Sequence, residues 1–448
     1  MTIYALSSGK GRAGVAVIRL SGEKAGEVLL QLSGLSRRPV PREAKLTWFR
    51  DPETSVRLDH GLALYFSAPN SFTGEDVVEF HIHGGRAVVA GLLEALSKFT
   101  GVRPAEPGEF TRRAFDNGKM DLTATEALAD LLNAETEAQR RQALRQMDGQ
   151  LGELYDGWRR EIISAMAYLE ADIDFADEEI PEDVTARVRP IIEKLHVKIT
   201  DHLADGHRGE RIRDGLQVVI LGQPNIGKSS LMNYLSRREV AIVSDIEGTT
   251  RDVLEVHLDI QGFPVTIIDT AGLRESGDVI EAEGMRRARA RAEQADVRIV
   301  MTEASAWPEI GTETSAMIDD ETIIILNKMD LVPDREELAR RIKAAGGNIY
   351  PVSLKNGEGL DQFMRGLEQT VAGKMDLAEA PSLTRTRHRQ ALKDSVDHLE
   401  RFLTNRTGEL ELLAEDLRLA ARALGRITGA VDVEDILDVV FSEFCIGK

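Results

Sequence analysis

The chain has a single cysteine, Cys445, in 448 residues, which excludes an intramolecular disulfide and any cage of several cysteines around a metal. A reducing compartment is expected. Aromatic residues are sparse at 5%, and no apolar run nears the ~20 residues of a membrane span; the longest strand-like stretches, such as Thr322-Ile323-Ile324-Ile325-Leu326, are far shorter. No membrane anchoring is expected. Positive charge is also in deficit: 56 Lys and Arg stand against 75 Asp and Glu, a formal charge of −19. That balance argues against broad nucleic-acid binding, whose nonspecific affinity comes from neutralising phosphates, and leaves room only for a specific RNA contact through a local basic patch. The N-terminus does not read as a secretory leader, because Lys10 and Arg12 interrupt its first apolar stretch. A cytoplasmic location is expected.

With 42% apolar and 29% charged residues, the composition is that of a globular chain, and its length predicts about two to four domains. Residues 1–118 mix strands with helices: Val15 to Leu20 and Val77 to Ile82 alternate like strands, and Ala87 to Phe99 reads as a helix after Gly84-Gly85. This is an α+β pattern. Residues 119–212 turn helical, with Leu128, Leu131 and Leu132 on one face and breaks expected near Pro181 and Pro190. Across 213–377 apolar strands alternate with helical stretches, the signature of a parallel sheet wrapped by helices, and 378–448 is helical again. The expected fold is therefore multidomain: an α/β domain inserted in a helical domain, preceded by an α+β domain.

The strand Gln217 to Leu221 runs into Gly222-Gln223-Pro224-Asn225-Ile226-Gly227-Lys228-Ser229, and a helical pattern starts at Ser230. This is a phosphate-binding loop in its strand-loop-helix context. Its backbone N–H groups can converge on phosphates at a helix N-terminus, Lys228 brings a point charge to the β- and γ-phosphates, and Ser229 offers an oxygen to magnesium. Downstream, Ser244-Asp245-Ile246-Glu247-Gly248-Thr249-Thr250 is a loop whose threonine can close over the γ-phosphate and its metal. The strand Val265 to Ile268 ends in Asp269-Thr270-Ala271-Gly272, where a carboxylate can hold magnesium through water and a glycine N–H can meet the γ-phosphate. Base choice is read from Asn327-Lys328-Met329-Asp330: Asp330 can accept from the N1–H and the exocyclic amine of guanine, whereas adenine presents an acceptor there. Ser353-Leu354-Lys355, after the strand ending at Val352, sits where a backbone N–H can meet the guanine carbonyl. Such segments in this order predict a guanine-nucleotide, specifically GTP, site.

Hydrolysis is harder to read. In Ras-like proteins a glutamine that orients water follows the Asp-x-x-Gly segment, but here the position is Leu273. Asn225, with the carbonyls of Ser244 and Ile246, can coordinate a monovalent cation beside the β- and γ-phosphates, and Glu281 is a candidate for orienting the attacking water. On its own, Glu281 reads rather as a solvated acid at the start of a helix.

Further segments lie far from this site: Gly11-Arg12-Ala13-Gly14-Val15-Ala16-Val17-Ile18-Arg19, Pro69 to Asp76, His83-Gly84-Gly85, Pro107 to Thr111, Asp172 to Phe175 with Asp177 to Ile180, and Phe444-Cys445-Ile446-Gly447-Lys448. In these the chain resembles, over essentially its whole length, the tRNA-modification GTPases of the MnmE (TrmE) type. The resemblance implies a homodimer formed through the N-terminal domain, which binds a tetrahydrofolate derivative (5-formyl or methylene form) at positions matching Arg19, Glu79, Lys119 and Lys448. It implies potassium-dependent contact between GTPase domains, with Asn225, Ser244, Ile246 and Thr249 at the potassium positions, Thr250 joining Ser229 on magnesium, and Glu281 as the water-orienting acid. It also implies an FAD-dependent partner of the GidA (MnmG) type, with which the family modifies the wobble uridine of certain tRNAs. Cys445 becomes a candidate nucleophile, although a lone thiol is more often a small apolar filler. His81 and His83 share a strand face without a completing ligand cluster and are read as structural. Arg385, Arg387, His388 and Arg389 form the strongest basic cluster, open either to tRNA or to solvent at a helix start. Two rivals stay open beside this family: a GTPase of ribosome assembly, and a scaffold that binds GTP only to dimerise.

Overall fold

The computed structural model describes all residues except 10, 175–183, 206, 239–254, 270–294, 311–314, 316, 317, 320, 376–381, 406–408, 432–435, 438, 439, 442, 443, 445 and 448. The chain divides into two compact units, one holding 1–129, 146–195 and 394–448, the other 130–145 and 196–393. Among the described residues, no helix is long and apolar enough to cross a membrane.

In the first unit, β1 (Thr2–Leu6), β2 (Ala13–Ser21), α1 (Ala25–Ser33), β3 (Lys45–Arg50), β4 (Arg57–Phe66), β5 (Val77–Gly84), α2 (Arg86–Ser97), β6 (Val102–Pro104) and α3 (Glu109–Asp116) follow in order. The strands make one sheet, β3-β4-β5-β2-β1-β6, antiparallel except where β1 meets β6. Alternation along each strand sends Ile18, Leu20, Phe49, Ala63 and Phe80 into a core closed by Val28, Leu29 and Leu32 of α1 and by Leu92 and Leu96 of α2. The intervening residues, Arg19 and Glu79 among them, face the other way, and cross-strand register sets these two directly opposite each other.

The chain continues through α4 (Leu122–Leu132), α5 (Glu137–Met147), α6 (Gln150–Asp174), α7 (Val184–Leu203) and α8 (Arg208–Asp214). On α4, Leu122, Leu128 and Ala129 pack with Leu437, Val440, Phe441 and Phe444, while Leu132 is 45% exposed. One expectation is corrected here. Pro190 does not end a helix but lies inside α7. The N–H it lacks and its ring cost about 3 kcal/mol, while the fully buried Val188, Ile192, Leu195 and Ile199 each gain about 1.5–3 kcal/mol. Burial wins. Pro181 lies outside the described residues.

The second unit carries β7 (Leu216–Gly222), α9 (Lys228–Ser236), β8 (Glu255–Ile260), β9 (Phe263–Asp269), β10 (Val297–Glu303), β11 (Ile323–Asn327), α10 (Arg335–Ala345), β12 (Asn348–Pro351) and α11 (Leu360–Lys374). Its sheet order is β12-β11-β10-β7-β9-β8, parallel throughout except for the antiparallel edge strand β8. Both faces are covered, so Ile323 and Ile325 enter one core while Ile324 and Leu326 enter another. That explains the unbroken apolar run of β11. The chain returns to the first unit through α12 (Thr386–Thr404) and α13 (Leu410–Thr428), whose Leu413, Leu417, Leu424 and Ile427 are buried along the side that packs on α6.

Candidate functional site

In an open parallel sheet, ligands lie outside the carboxyl ends of the strands where the strand order reverses. Here the reversal is at β7, flanked by β9 on one side and β10 on the other. All four expected segments that are described follow carboxyl ends of this sheet: Gln223 to Gly227 after β7, Asp269 closing β9, Lys328 to Asp330 after β11 and Ser353 to Lys355 after β12.

The phosphate loop turns on residues in left-handed conformations, Asn225 at φ 60° and Gly227 at φ 111°. A Cβ on Gly227 would sit 2.5 Å from Asn327 Nδ2, so only glycine fits. Gly227 also caps α9 without any side-chain hydrogen bond, which leaves the helix N-terminus available to an anion. Asn225, Ser229 and Ser230 are exposed at the rim, whereas Ile226 and Lys228 are buried. The Lys228 ammonium donates to the carbonyls of Gly222 at 2.7 Å and Gln223 at 2.8 Å, holding the charge inside the loop.

Asn327 joins the two ends of the site. Its Nδ2 donates to the Ile226 carbonyl at 2.7 Å, and its Oδ1 accepts the Leu354 N–H at 3.2 Å. Asp330 accepts the Ser353 hydroxyl at 2.7 Å; this hydrogen bond, helped by Lys355 and Arg335, holds its carboxyl below the usual carboxylate range and therefore ionised at neutral pH. The N–H groups of Ser353 and Leu354 are committed to the Glu358 carbonyl and to Asn327, so the backbone donor left for a base is that of Lys355. Lys328, at φ 65°, pairs with Glu303 at the end of β10, and Met329 is buried beneath. Asp269 is fully buried at the end of β9, next to β7 in the sheet. A serine hydroxyl at the first turn of α9 and a carboxylate at the end of the adjoining strand are oxygen donors of the kind that suits a magnesium ion. Ser244, Asp245, Ile246, Glu247, Gly248, Thr249, Thr250, Thr270, Ala271, Gly272 and Glu281 lie outside the described residues.

In the first unit, Arg19 and Glu79 are brought together at 3.0 Å, each side chain 18% exposed. The guanidinium lies over the rings of Phe72 and Phe110 at 5.3 and 5.8 Å, and His81 reaches the second Glu79 oxygen at 3.3 Å. Lys119 donates to the Pro69 carbonyl at 2.8 Å, on the loop that carries Phe72. A cation, a carboxylate and flat aromatic faces together suit a pterin ring with a carboxylate tail. Cys445 and Lys448 lie outside the described residues; between them, Ile446 bridges Pro107, and the Gly447 carbonyl accepts the Ser7 hydroxyl at 2.9 Å. His83 pairs with Asp59 at 2.8 Å, and no metal-binding cluster occurs among the described residues.

The arginine cluster at the start of α12 is turned inward. Arg385 is 8% exposed and pairs with Asp130 at 2.9 Å; Arg389 is 6% exposed and pairs with Asp205 and Glu210 at 2.9 and 3.2 Å; His388 is fully buried. These charges hold α8 and its neighbours in place, so Arg385, His388 and Arg389 are not the surface expected for tRNA or for solvent; Arg387 alone of the four is half-exposed. Sequence alone missed Glu303, Asp130, Asp205 and Glu210 as partners, since nothing in local spacing announces them.

Two family models together match nearly the whole chain. Residues 2–119 match the family described as GTP-binding protein TrmE N-terminus, and residues 122–445 match the MnmE helical domain. The tRNA modification GTPase MnmE of Parvibaculum lavamentivorans is 56% identical over 452 residues, covering 100% of both chains. That of Paramagnetospirillum magneticum is 53% identical over 447 residues, covering 100% of this chain and 99% of the other. Among solved structures, the G domain of the T. maritima FeoB iron transporter is 24% identical and covers 35% of this chain and 98% of its own, with a TM-score of 0.25.

Proposed function

Because the chain belongs to the MnmE family of tRNA-modification GTPases and is thus a GTP hydrolase that acts in tRNA modification, we propose that it modifies the wobble uridine of certain tRNAs together with an FAD-dependent partner of the GidA (MnmG) type. The product is an aminomethyl or carboxymethylaminomethyl group at carbon 5 of the base, with a tetrahydrofolate derivative as one-carbon donor. The observation that carries the GTPase half is the clasp of Asn327 between the phosphate loop and the Leu354 N–H, with Asp330 held ionised beside it.

In this reading residues 1–118 bind folate and form the homodimer, 119–212 and 378–448 build the helical domain, and 213–377 form the GTPase domain. Ser229 and Thr250 would hold magnesium, and Asn225, Ser244, Ile246 and Thr249 would hold potassium, both supplying positive charge against the β- and γ-phosphates. Lys228 neutralises the same oxygens, Glu281 orients water, and Cys445 stays a candidate participant in the modification step. Arg19, Glu79, Lys119 and Lys448 form the folate site, the cations suiting its carboxylates and Glu79 the edge of its pterin.

The direct test is nucleoside analysis of tRNA from cells lacking the protein. The carbon-5 modification should disappear and return with the parental gene; an unchanged nucleoside profile would refute the proposal. For the folate, Arg19→Ala in the full chain should weaken 5-formyltetrahydrofolate binding by about 10-fold in calorimetry, the scale of one charge-assisted hydrogen bond. Equal affinity would place the tail elsewhere.

A further inference from the structure

With Arg385 and Arg389 buried, a basic surface for RNA has to be sought among exposed arginines, and the helical domain provides three. Along α12, Asp394, Asp397, His398 and Arg401 recur at the spacing of a single helix face. Along α13, Leu419, Arg422, Ala423 and Arg426 do the same. Facing stripes with this spacing are ordinarily apolar and close on each other; here that of α12 is charged throughout, that of α13 sets two arginines beside Leu419 and Ala423, and a cleft of about 440 Å³ stands between them. Arg401, Arg422 and Arg426 are all exposed, while Ala423 is buried. His398 has its Nδ1 buried without a hydrogen bond, with Asp416 at 3.9 Å. A buried polar atom left unsatisfied is a departure from self-consistency of the kind found where a fold is shaped for a task besides its own stability.

We propose that the cleft between α12 and α13 holds the sugar–phosphate backbone of tRNA, Arg401, Arg422 and Arg426 donating to phosphate oxygens and Asp394 and Asp397 accepting from ribose hydroxyls. The proposal rests on the reading of this protein as a tRNA-modifying GTPase. Arginine forks match phosphate oxygens in pairs. The two aspartates offset much of the arginine charge, so the cleft does not attract any polyanion indiscriminately, in keeping with a chain of net charge −19. What a carboxylate adds is an acceptor, and the backbone of RNA, unlike that of DNA, brings a donor in its 2′-hydroxyl. The mixture of the two side-chain types therefore favours RNA, held at a few phosphates.

The experiment measures binding of unmodified tRNA to the full chain by fluorescence anisotropy over a series of salt concentrations. It compares the parent with a variant carrying Arg401→Gln, Arg422→Gln and Arg426→Gln. Glutamine keeps helix propensity at exposed positions, and unchanged circular dichroism with parental GTP hydrolysis shows that the variant is folded. The variant is expected to bind at least ~10-fold more weakly, and the log–log salt slope should fall by about 2, at roughly 0.7–0.9 for each phosphate no longer neutralised. The parent should also prefer tRNA to DNA of the same sequence. Parental affinity and slope in the variant overturn the proposal, as does equal binding of RNA and DNA by the parent. If tRNA binding is kept and binding to the FAD-dependent partner is lost, the cleft is a protein-docking site and the proposal fails. If the parent binds no tRNA, the proposal fails too, while the modification reading is still judged separately by nucleoside content.

Discussion

Replacing Glu281 by alanine is expected to lower kcat for GTP hydrolysis by about 100-fold or more, with GTP affinity nearly unchanged. Phosphoryl transfer needs an acceptor that orients water and positive charge that meets the developing negative charge on the phosphates. Leu273 cannot supply the first, standing where a glutamine orients water in Ras-like proteins. Lys228 supplies part of the second but is held inside the loop by the Gly222 and Gln223 carbonyls, which leaves the outer side of the β- and γ-phosphates to another cation. Asn225, exposed at the rim at φ 60°, is available to hold one. Hydrolysis should therefore rise with potassium and stay weak in sodium, a smaller ion that fits a potassium-sized ring of oxygens poorly. Asn225→Ala should abolish that difference. Single-turnover rates separate the outcomes: a Glu281→Ala enzyme working at the parental rate removes the water-orienting role, and equal rates in the two salts remove the cation.

Asp330→Asn is expected to weaken GTP binding by at least ~100-fold, because a site built to receive two donors is left with a single acceptor and a misplaced amide donor. The parental protein should prefer GTP and GDP over ATP by at least the same ~100-fold factor. Ser353 donates to Oδ1 of Asp330 and keeps the carboxyl ionised, so the acceptor is in place at any pH near neutrality. A specific rescue follows from the chemistry of the base. Xanthine carries a carbonyl where guanine carries the exocyclic amine, and the asparagine amide can donate to it, so the variant should recover affinity for xanthosine triphosphate. Calorimetry with the three nucleotides decides the matter, and a variant that binds all three as the parent does would remove Asp330 from base recognition.

The parts of this site that can be read from the sequence are those whose chemistry is local. A strand running into Gly222 to Ser229 and then into a helix has few other ways to fold, and the Asn327 to Asp330 segment announces its position by following an apolar strand. What escapes is the meeting of distant segments. Asn327 and Ile226 stand 101 residues apart, and only the sheet order, which sets β11 two strands from β7, brings them together. The Arg385 to Arg389 cluster misleads for the same reason: four basic residues in five look like a surface until Asp130, Asp205 and Glu210 arrive from other elements. Pro190 reads as a break because local propensity is visible in a sequence, while the buried stripe that overrides it is not. For the α+β module, strand alternation places the core correctly, but the direct opposition of Arg19 and Glu79 depends on register, which alternation leaves open by steps of two residues.

The double hydrogen bond of Asn327 also bears on the timing of nucleotide exchange. Because the phosphate loop and the Leu354 turn are tied to each other in the protein itself, the part of the cradle that spans base and phosphate loop is joined before a nucleotide arrives. That part is common to GTP and GDP, so their capture is expected to differ little in rate and the lifetime of each complex to carry most of the difference. A protein arranged this way distinguishes its two nucleotides chiefly by how long it keeps each.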